Sequence, residues 1–358
     1  MQRRHLLFSS VAVWYEKLIF MINKIIKLPV SGNTPLNKYR GLFGVQTLLV
    51  KDETKNPTHT FKDRLAYEAV RPTMEAINLN QHFARVTLGS ISYGNTAHSM
   101  GYYASKLNRG AKERVVNVVC FLPPSLKEKT FGPNTEGQFI PPQAFFKKMF
   151  NDCIDAQSIE IDLSKQIYRS EDLEKIAQAE GIVLDKFVDI TEGLDRPAYV
   201  NIIKEVVEEQ LKSAPDYVIV PFGAGILCNE IIDYINDNQL PTKVIPVSSG
   251  DPDTIAIMLY GPIWVDTKAL LEKGIAMTRH MIPDKKGRYR EQYLVYHVSD
   301  EEITDAMKIL RNTGISAEAS GASGFAILPR LKDIDPNFRP QEHSVLVINT
   351  GNGLLNFA

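Results

Sequence analysis

The sequence predicts an α/β fold with mostly parallel sheets that are covered by helices on both faces. Short β-branched strands alternate with longer helical segments along the chain, a pattern typical of such folds. The segment VVNVVCFL at residues 115–122 is apolar almost throughout, as expected for a strand that is buried on both faces. With 358 residues, the chain is long enough for two domains or one large α/β unit.

The first 28 residues are predicted to form a helical extension of this fold. The apolar runs LLFSSVAVW and LIFMI are separated by Glu16 and Lys17, are too short to span a membrane, and are followed by no clear small-residue cleavage site. We therefore predict an amphipathic helix that packs on the body of the protein or on a second subunit. Export of the protein is the less favoured alternative.

Periodicity and turn residues predict the order of the remaining elements. Strands are predicted at residues 45–50, 85–88, 115–122, 158–162, 217–220, 244–247 and 344–348. Helices are predicted at residues 62–70, 96–107, 146–153, 171–180, 197–212, 226–235, 299–310 and 318–331. Residues 125–145 are polar and rich in proline and glycine, which indicates an inserted loop, whereas residues 253–286 give only weak helical signals with two proline breaks.

The overall composition argues against several classes of function. A net charge of −1 provides no field that would recruit nucleic acid or an anionic membrane. The three cysteines, Cys120, Cys153 and Cys228, are scattered, which indicates reduced thiols in a cytoplasmic protein rather than a disulfide framework. The seven histidines show no HxxxH or Cys/His pairing, so we predict no metal site.

The segment KDETKNPTHTFKDRLAYEAV at residues 51–70 carries the strongest chemical signal. Thr60 and Asp63 have the spacing of an N-cap pair, which would put Lys62 in the first turn of a helix. Unpaired backbone N–H groups there carry partial positive charge, and Arg64 lies two residues further on, so a charged amine is disfavoured. A neutral, nucleophilic amine is what a Schiff-base lysine needs. A solvated lysine at the start of a surface helix is the alternative.

Three loops that follow predicted strands offer ligand-binding groups, because ligands of open α/β sheets lie beyond the carboxyl ends of strands. Gly223 and Gly225 in PFGAG precede a helix, so backbone N–H groups there could hold a phosphate monoester. The segment SYGNT at residues 92–96 offers hydroxyls, an amide and N–H groups for a carboxylate or a phenolate-type oxygen. Thr350 in INTGNG places a hydroxyl beside two glycines. For each loop, an ordinary turn or helix cap is the alternative.

Taken in order, these motifs resemble the fold-type II pyridoxal-phosphate enzymes, the tryptophan-synthase-β-like superfamily, and within it they are most similar to the threonine synthases. The resemblance runs from GNTPL at Gly32 to TGNG at Thr350, and it includes NPTHTFKDR, SYGNT, VSDEEI and EASGAS in the family's order. It implies two three-layer α/β/α domains with pyridoxal 5′-phosphate in the cleft between them. The implied large domain comprises residues 29–85 plus 186–358, and the smaller, mobile domain comprises residues 86–185.

The resemblance also implies a role for each motif residue. Lys62 would carry the cofactor as a Schiff base and move protons, Asn95 would hydrogen-bond its 3′-oxygen, and Thr350 would face the pyridine nitrogen. The cofactor phosphate would be held by the backbone of Gly223, Ala224, Gly225, Ile226 and Leu227. The substrate carboxylate would be received by Ser92, Gly94 and Thr96. His59 stands where family members usually have glycine, and it could reach the substrate pocket as an extra acid or base.

The implied activity is elimination or replacement at the β or γ carbon of an amino acid, because a hydroxyl opposite the ring nitrogen does not enforce a full pyridinium. Threonine synthase activity on O-phosphohomoserine is the first choice. A serine/threonine ammonia-lyase, which EASGAS also resembles, and a β-replacement amino-acid synthase are the enzymatic alternatives. A pseudoenzyme that keeps the fold as a binding module is the alternative from another class, although intact Lys62 and Asn95 argue against it.

Two further departures from the family, besides His59 and the inserted loop at residues 125–145, leave the substrate open. The phosphate loop reads GAGIL, and Tyr93 occupies a position in the asparagine loop where a small residue is common. Family members are commonly dimers, so the resemblance leads us to expect a cytoplasmic homodimer with a small amino-acid substrate and with neither a nucleic-acid nor a membrane partner.

Overall fold

A computed structural model of the chain describes residues 25–92, 94–122, 134–137, 156–162, 168–191, 194, 197–249, 254–256, 269–272, 275–283 and 289–353. The first 24 residues of the predicted N-terminal extension lie outside these ranges, as do Tyr93, the predicted helix at 146–153 and most of the predicted loop at 125–145. Within the described residues, no helix has the length and apolar character that crossing a lipid bilayer requires.

The described strands form two sheets. They are β1 (Leu36–Tyr39), β2 (Thr47–Asp52), β3 (Val86–Ile91), β4 (Val116–Leu122), β5 (Ala156–Glu160), β6 (Lys186–Asp189), β7 (Tyr217–Pro221), β8 (Lys243–Ser248), β9 (Ala269–Glu272), β10 (Ile275–Pro283), β11 (Tyr289–His297) and β12 (Ser344–Asn349). The larger sheet has the order β1-β2-β12-β7-β8-β11-β10-β9, and the smaller has the order β5-β4-β3-β6. Pairing is parallel throughout the smaller sheet and from β2 to β11 in the larger one.

Helices flank both sheets. The α-helices are α1 (Lys62–Asn78), α2 (Asn95–Ala111), α3 (Ser170–Ala179), α4 (Val200–Lys204), α5 (Ile226–Asp237), α6 (Asp300–Thr313), α7 (Ala319–Ala326) and α8 (Leu331–Ile334). A π-helical stretch at Glu205–Gln210 extends α4, and short 3₁₀ turns lie at Leu42–Gly44, Glu53–Lys55 and Leu328–Arg330. The capping box that begins α6 has Ser299 and Glu302 bonded to each other's backbone, as the motif VSDEEI indicates.

The alternation of side chains along the central strands separates the layers of the larger sheet. On β7, Val218 and Val220 pack in a hydrophobic cluster with α1, α4 and α5, whereas Ile219 packs in a second cluster with α6 and α7. On β4, Val118 joins the first of these clusters and Val119 packs against α3. A continuous core therefore joins the two sheets, and the predicted α/β fold with mostly parallel sheets is confirmed.

Several local predictions are corrected. Residues 253–286 were expected to contain helical pieces, but β9 and β10 fall there and pair antiparallel with one another as consecutive strands. Strand formation depends strongly on packing context, so the weak local pattern did not reveal them. The predicted helix at 197–212 becomes α4 followed by the π-helical stretch. Strand β6 pairs with β3, so the smaller sheet extends past residue 185, where the sequence places the end of the smaller domain.

Candidate active site

The backbone immediately before Lys62 is held by the turn that follows β12. Phe61 N–H donates to the carbonyl of Thr350 at 2.9 Å, and Asn352 N–H donates to the carbonyl of His59 at 2.7 Å. Two segments that are nearly 300 residues apart in the chain therefore run side by side. The structure thus brings Lys62 and Thr350, the predicted lysine and the predicted terminal hydroxyl, close together beyond the carboxyl ends of the strands of the larger sheet.

Two glycines allow this close approach. A Cβ atom at Gly351 would lie 2.8 Å from the carbonyl oxygen of His59 and 2.9 Å from the Cα of Thr60. A Cβ atom at Gly321, in α7, would lie 2.9 Å from both the Asn349 amide oxygen and the Gly351 carbonyl oxygen. The first glycine of TGNG and the glycine of EASGAS are therefore required by packing, because any larger residue would push the turn away from the lysine stretch.

The Lys62 amine lies in an aromatic, partly buried environment. Its Nζ is 4.6 Å from the ring centre of Phe61 and 5.5 Å from the ring centre of Tyr199. Burial lowers the pKa of Lys62 to about 8, because the charged form loses its hydration. No acidic side chain of the described residues forms an ion pair with this amine. The group is thus a neutral nucleophile at mildly alkaline pH.

A buried network of four charges fixes the helix that carries this lysine. Arg64 donates to Glu53 and to Glu205, at 2.7 and 2.6 Å for the closest atoms, and Lys51 donates to Glu205 at 2.6 Å. All four side chains are nearly inaccessible to solvent. Burial would raise the pKa of Glu205, but hydrogen bonds and charges from Arg64 and Lys51 outweigh it and lower the pKa to about 2. The π-helical stretch contributes to this network. It places the amide oxygen of Gln210 where it accepts a hydrogen bond from Lys51 Nζ at 3.2 Å.

Two of the expected features around Lys62 are wrong. Thr60 and Asp63 do not cap α1 as a pair, because the Asp63 carboxylate instead accepts the backbone N–H and the hydroxyl of Thr58. Arg64 is neutralised by its two carboxylate partners, so burial rather than repulsion from that guanidinium lowers the pKa of Lys62. Burial also raises the pKa of Asp63 to about 6, despite its hydrogen bonds with Thr58.

The predicted phosphate loop lies between β7 and α5. Gly225 is the N-cap residue of α5 and has a φ of +84°, a left-handed conformation that favours glycine. In the part of the chain that the structure describes, no side chain caps this helix, and its first turn contains no acidic residue. The backbone N–H groups of Ile226 and Leu227, at the start of this helix, are therefore suited to an anion. Ala224 is exposed, which leaves the loop open to a ligand.

A carboxylate connects this loop to the lysine. Glu230, on α5, accepts the backbone N–H groups of Tyr199 at 2.6 Å, of Val200 at 2.7 Å and of Ala198 at 3.3 Å. The ring of Tyr199 is one of the two rings that contact the Lys62 amine. Burial raises the pKa of Glu230, although these three bonds oppose the shift. Helix α5, which begins at the predicted phosphate loop, therefore holds the backbone of Tyr199, whose ring lies beside the Lys62 amine.

The asparagine loop lies at the start of α2. Ser92 Oγ accepts the backbone N–H groups of Gly94 at 3.2 Å and of Ala97 at 3.4 Å, so this hydroxyl, and not Asn95 or Thr96, caps the helix. The Asn95 amide is buried and donates from Nδ2 to the Glu318 carboxylate at 2.8 Å. Thr96 is partly buried.

His59 has a left-handed backbone conformation, with φ at +58°. This explains why glycine is the residue expected at the position, since only glycine adopts that conformation without strain. The imidazole is partly buried, and its Nδ1 lies 2.9 Å from the carbonyl of Thr54. The other ring nitrogen, Nε2, remains as the atom that could meet a substrate.

Residues 134–137, within the predicted inserted loop, dock on the same turn. Thr135 N–H donates to the carbonyl of Ala317, and Ala317 N–H donates to Thr135 Oγ1, both at 2.9 Å. The Asn352 side chain bonds to Asn134 at 3.0 Å and to Glu136 at 2.7 Å. This segment therefore packs against two parts of the site, the turn that follows β12 and the residue Ala317 just before α7.

Comparison with known proteins identifies the family. Residues 28–351 match the family described as pyridoxal-phosphate dependent enzyme. The chain belongs to the pyridoxal-phosphate-dependent enzymes. Its cofactor is pyridoxal phosphate, and the resemblance noted from the sequence is confirmed.

Curated relatives of this pyridoxal-phosphate enzyme catalyse two reactions. A threonine synthase of Methanocaldococcus jannaschii is 25% identical over 93% of this chain and 77% of its own length. A biosynthetic L-threonine dehydratase of Pasteurella multocida is 27% identical over 79% of this chain, but the match covers only 49% of the dehydratase. The family and these relatives indicate elimination and replacement chemistry on amino acids.

Solved structures support the fold of this pyridoxal-phosphate enzyme. A diaminopropionate ammonia lyase of Escherichia coli, crystallised with D-serine, superposes with a TM-score of 0.60 at 19% identity, over 93% of this chain and 89% of the lyase. At that level of identity the likeness concerns the architecture alone, which includes the two α/β units that were predicted.

The site's features fit the family's cofactor. Pyridoxal phosphate presents an aldehyde, a ring oxygen and a phosphate, and the described residues offer a desolvated amine at Lys62, a buried amide at Asn95 and an uncapped helix N-terminus after Gly225. Among the described residues, no group of three or more His, Cys, Asp and Glu side chains is arranged to hold a metal ion.

Three residues of this region were not predicted from the sequence. Tyr199 and Glu230 were assigned to helices without any role, and Glu318 was quoted within EASGAS but given no contact. One signal was available for Glu318, because it precedes the segment ASGASGFA, in which every residue is small or apolar. Such a helix has no solvated face, so a carboxylate at its start is expected to be buried.

Proposed function

We propose that this enzyme is a threonine synthase, which converts O-phosphohomoserine and water to threonine and phosphate. The observation that carries the proposal is the Lys62 amine, with its pKa of about 8, between the rings of Phe61 and Tyr199. The motif NPTHTFKDR around this lysine supports threonine synthase over other family activities, as does the relative that spans nearly the whole chain.

The cofactor would be held by residues from both sheets. Lys62 would provide the amine for its aldehyde, Asn95 would donate to its 3′-oxygen, and Thr350 would face its ring nitrogen. The phosphate would accept backbone N–H groups from Gly223, Ala224, Gly225, Ile226 and Leu227. The free N-terminus of α5 supports this assignment, because it adds its partial positive charge to those groups.

Once bound, pyridoxal phosphate supplies a ring that stabilises negative charge at the substrate's α-carbon. Lys62 Nζ is the base that takes the α-proton, because its lowered pKa leaves about a tenth of the amine neutral at pH 7 and more at alkaline pH. The same amine can return protons to the carbons that gain them. The reaction balances overall, because one water molecule adds to the substrate and one phosphate leaves it.

The substrate carboxylate would be bound at the start of α2. Ser92 Oγ accepts two backbone N–H groups, so its own hydrogen can point to a further acceptor such as a carboxylate oxygen. Gly94 and Thr96 would add a backbone N–H and a hydroxyl. His59 would bring Nε2 toward the leaving group. Because Nδ1 donates to the Thr54 carbonyl, only an imidazole that carries both protons could also donate from Nε2 to a departing phosphate.

A serine/threonine ammonia-lyase is the second candidate. It is favoured by the dehydratase relative and by the segment EASGAS, which contains the buried Glu318. A β-replacement amino-acid synthase shares the same lysine chemistry. A pseudoenzyme would need none of the desolvation that lowers the pKa of Lys62.

A substrate panel separates these candidates. We expect phosphate release and threonine formation from O-phosphohomoserine, at a kcat/KM well above that for 2-oxo-acid release from serine or threonine. Phosphate would be measured with a coupled colorimetric assay and the products by chromatography. Faster 2-oxo-acid release would favour the ammonia-lyase, and a protein that stays colourless with added cofactor would favour the pseudoenzyme.

The predicted cytoplasmic location, the homodimer, and the division into a fixed domain and a mobile domain stay predictions. Closure of the smaller domain over the substrate would exclude water from the site. The hydrogen bond between Asn95, on the smaller sheet's side, and Glu318, on the larger sheet's side, supports such an arrangement because it joins the two units at the site.

A further inference from the structure

Glu318 is a buried carboxylate at the centre of the site, and the proposed reaction does not use it. Its side chain accepts the Asn95 Nδ2 group at 2.8 Å and also the backbone N–H of Gly353. Its own backbone N–H donates to the carbonyl of Gly351, so both ends of the residue are fixed on the TGNG turn. The helix that it precedes, α7, is buried at every position.

The amide of Asn95 has two distinct ends, and only one of them suits the cofactor. A phenolate-type oxygen needs a donor, which is the Nδ2 end, whereas Oδ1 can only accept. The Oδ1 atom lies against Gly353, where a Cβ atom would be only 2.1 Å away. The amide is therefore tightly enclosed, and the partner of its Nδ2 decides which end faces the cofactor.

We propose that Glu318 is a positioning residue, whose ionised carboxylate holds the Asn95 amide with Nδ2 directed so that its second N–H reaches the cofactor's 3′-oxygen. This inference rests on the proposed function, in which Asn95 is the ligand of that oxygen. An ionised carboxylate only accepts hydrogen bonds, so it selects the Nδ2 end without ambiguity. A protonated carboxyl can also donate, so it can bond to Oδ1 and stabilise the reversed amide.

The protonation state of Glu318 would then control the site in the neutral range. Burial raises the pKa of Glu318 to about 7, although the bonds from Asn95 and Gly353 oppose the shift. Other titratable groups on the elements packed around it have partners of their own. These are Glu136 with Asn352, Arg311 with the Thr135 carbonyl, His59 with the Thr54 carbonyl, and Asp52 with Thr54, while Lys62 contacts aromatic rings.

The spectroscopic test compares the wild type with Glu318→Gln, both loaded with pyridoxal phosphate. Because the amide of glutamine can donate or accept but cannot titrate, Glu318→Gln should keep the bound cofactor yet lose the wild type's absorbance transition, whose midpoint should lie at or above about pH 7. The value of kcat should fall by about tenfold with a smaller change in KM, as expected from the loss of one oriented hydrogen bond. Asp335→Asn is the matched control, a buried carboxylate that bonds to Tyr217 at the opposite end of β7.

Stability without added cofactor gives a second readout. The folded pKa of Glu318, about 7, lies above its ordinary value of 4.5, so its stabilising contribution is complete below pH 4.5 and is lost as the pH rises through 7. Glu318→Gln should therefore melt at the wild-type temperature near pH 4 and at a higher temperature near pH 8. Higher stability together with lower kcat is typical of a functional position and not of a merely structural one.

Two results would overturn the inference, and they are distinguishable. If Glu318→Gln shows the wild-type spectral titration and kcat while the cofactor band is normal, the role of Glu318 is wrong and the proposed function stands. If the wild type forms no cofactor band, or if Lys62→Ala keeps that band, the proposed function fails and the role of Glu318 fails with it.

Discussion

Replacing Lys62 with alanine should lower kcat by roughly 10³-fold or more, because one amine serves both as the attachment point and as the base. The variant should also be colourless after gel filtration with pyridoxal phosphate, whereas the wild type should be yellow. The fold should persist, since among the described residues the Lys62 side chain contacts aromatic rings and forms no ion pair, and α1 is held by Arg64 and Asp63. Turnover would be measured with O-phosphohomoserine, and folding by thermal unfolding.

Lys55→Ala is the matched control for this experiment. Lys55 lies in the same segment, but its side chain is 59% exposed and stands 3.9 Å from its only described ion-pair partner, Asp52. We expect wild-type colour and wild-type turnover from Lys55→Ala. Residual activity in Lys62→Ala at the level of the Lys55 control would contradict the role of Lys62.

Replacing Glu205 with glutamine should give the largest loss of stability, about 3–5 kcal/mol in the free energy of unfolding, because it leaves a buried positive charge without compensation. Glu205 accepts from Lys51 and from Arg64, so one neutral substitution weakens both contacts. The free energy would be measured by urea denaturation. Glu68→Gln, which removes a partly exposed pair with Arg71 on α1, should cost less than about 1 kcal/mol.

The pH dependence of stability provides an independent check on Glu205. Its folded pKa of about 2 lies below the ordinary value of 4.5, so its contribution is present above pH 4.5 and is lost as the pH falls toward 2. Glu205→Gln should therefore lose less stability than the wild type over that acidic interval.

The double variant Lys51→Met, Glu205→Gln leaves Arg64 paired with Glu53, so it should be less destabilised than the sum of the single variants. Strict additivity would contradict a coupled network.

The sequence was sufficient for the elements that have strong local signals. The near-continuous apolar run at β4, the capping box at Ser299 and the glycine loop after β7 each fold as their patterns indicate. The antiparallel strands β9 and β10 were not predicted although each pairs with the next strand in the chain, because their periodicity is weak and strand formation depends on packing context. The π-helical stretch was not predicted for a different reason, since Glu205 and Gln210 contact Lys51 from 154 and 159 residues away.

The site shows the same division between local and long-range information. Lys62, Asn95, Thr350 and Gly225 lie at strand or helix ends, where single-chain motifs indicate ligand chemistry. Partners of these groups were not predictable, since they come from distant segments. Glu318 reaches Asn95 across 223 residues of sequence, and the ring of Tyr199 meets Lys62 only because α5 holds its backbone.

The most direct test of the account is to locate the cofactor's covalent bond. The wild-type protein would be incubated with pyridoxal phosphate, reduced with borohydride, digested and mapped by tandem mass spectrometry. The account predicts a reduced cofactor adduct on the peptide that contains Lys62, and no adduct there in Lys62→Ala. An adduct confined to another lysine, or the absence of any stable adduct, would contradict it.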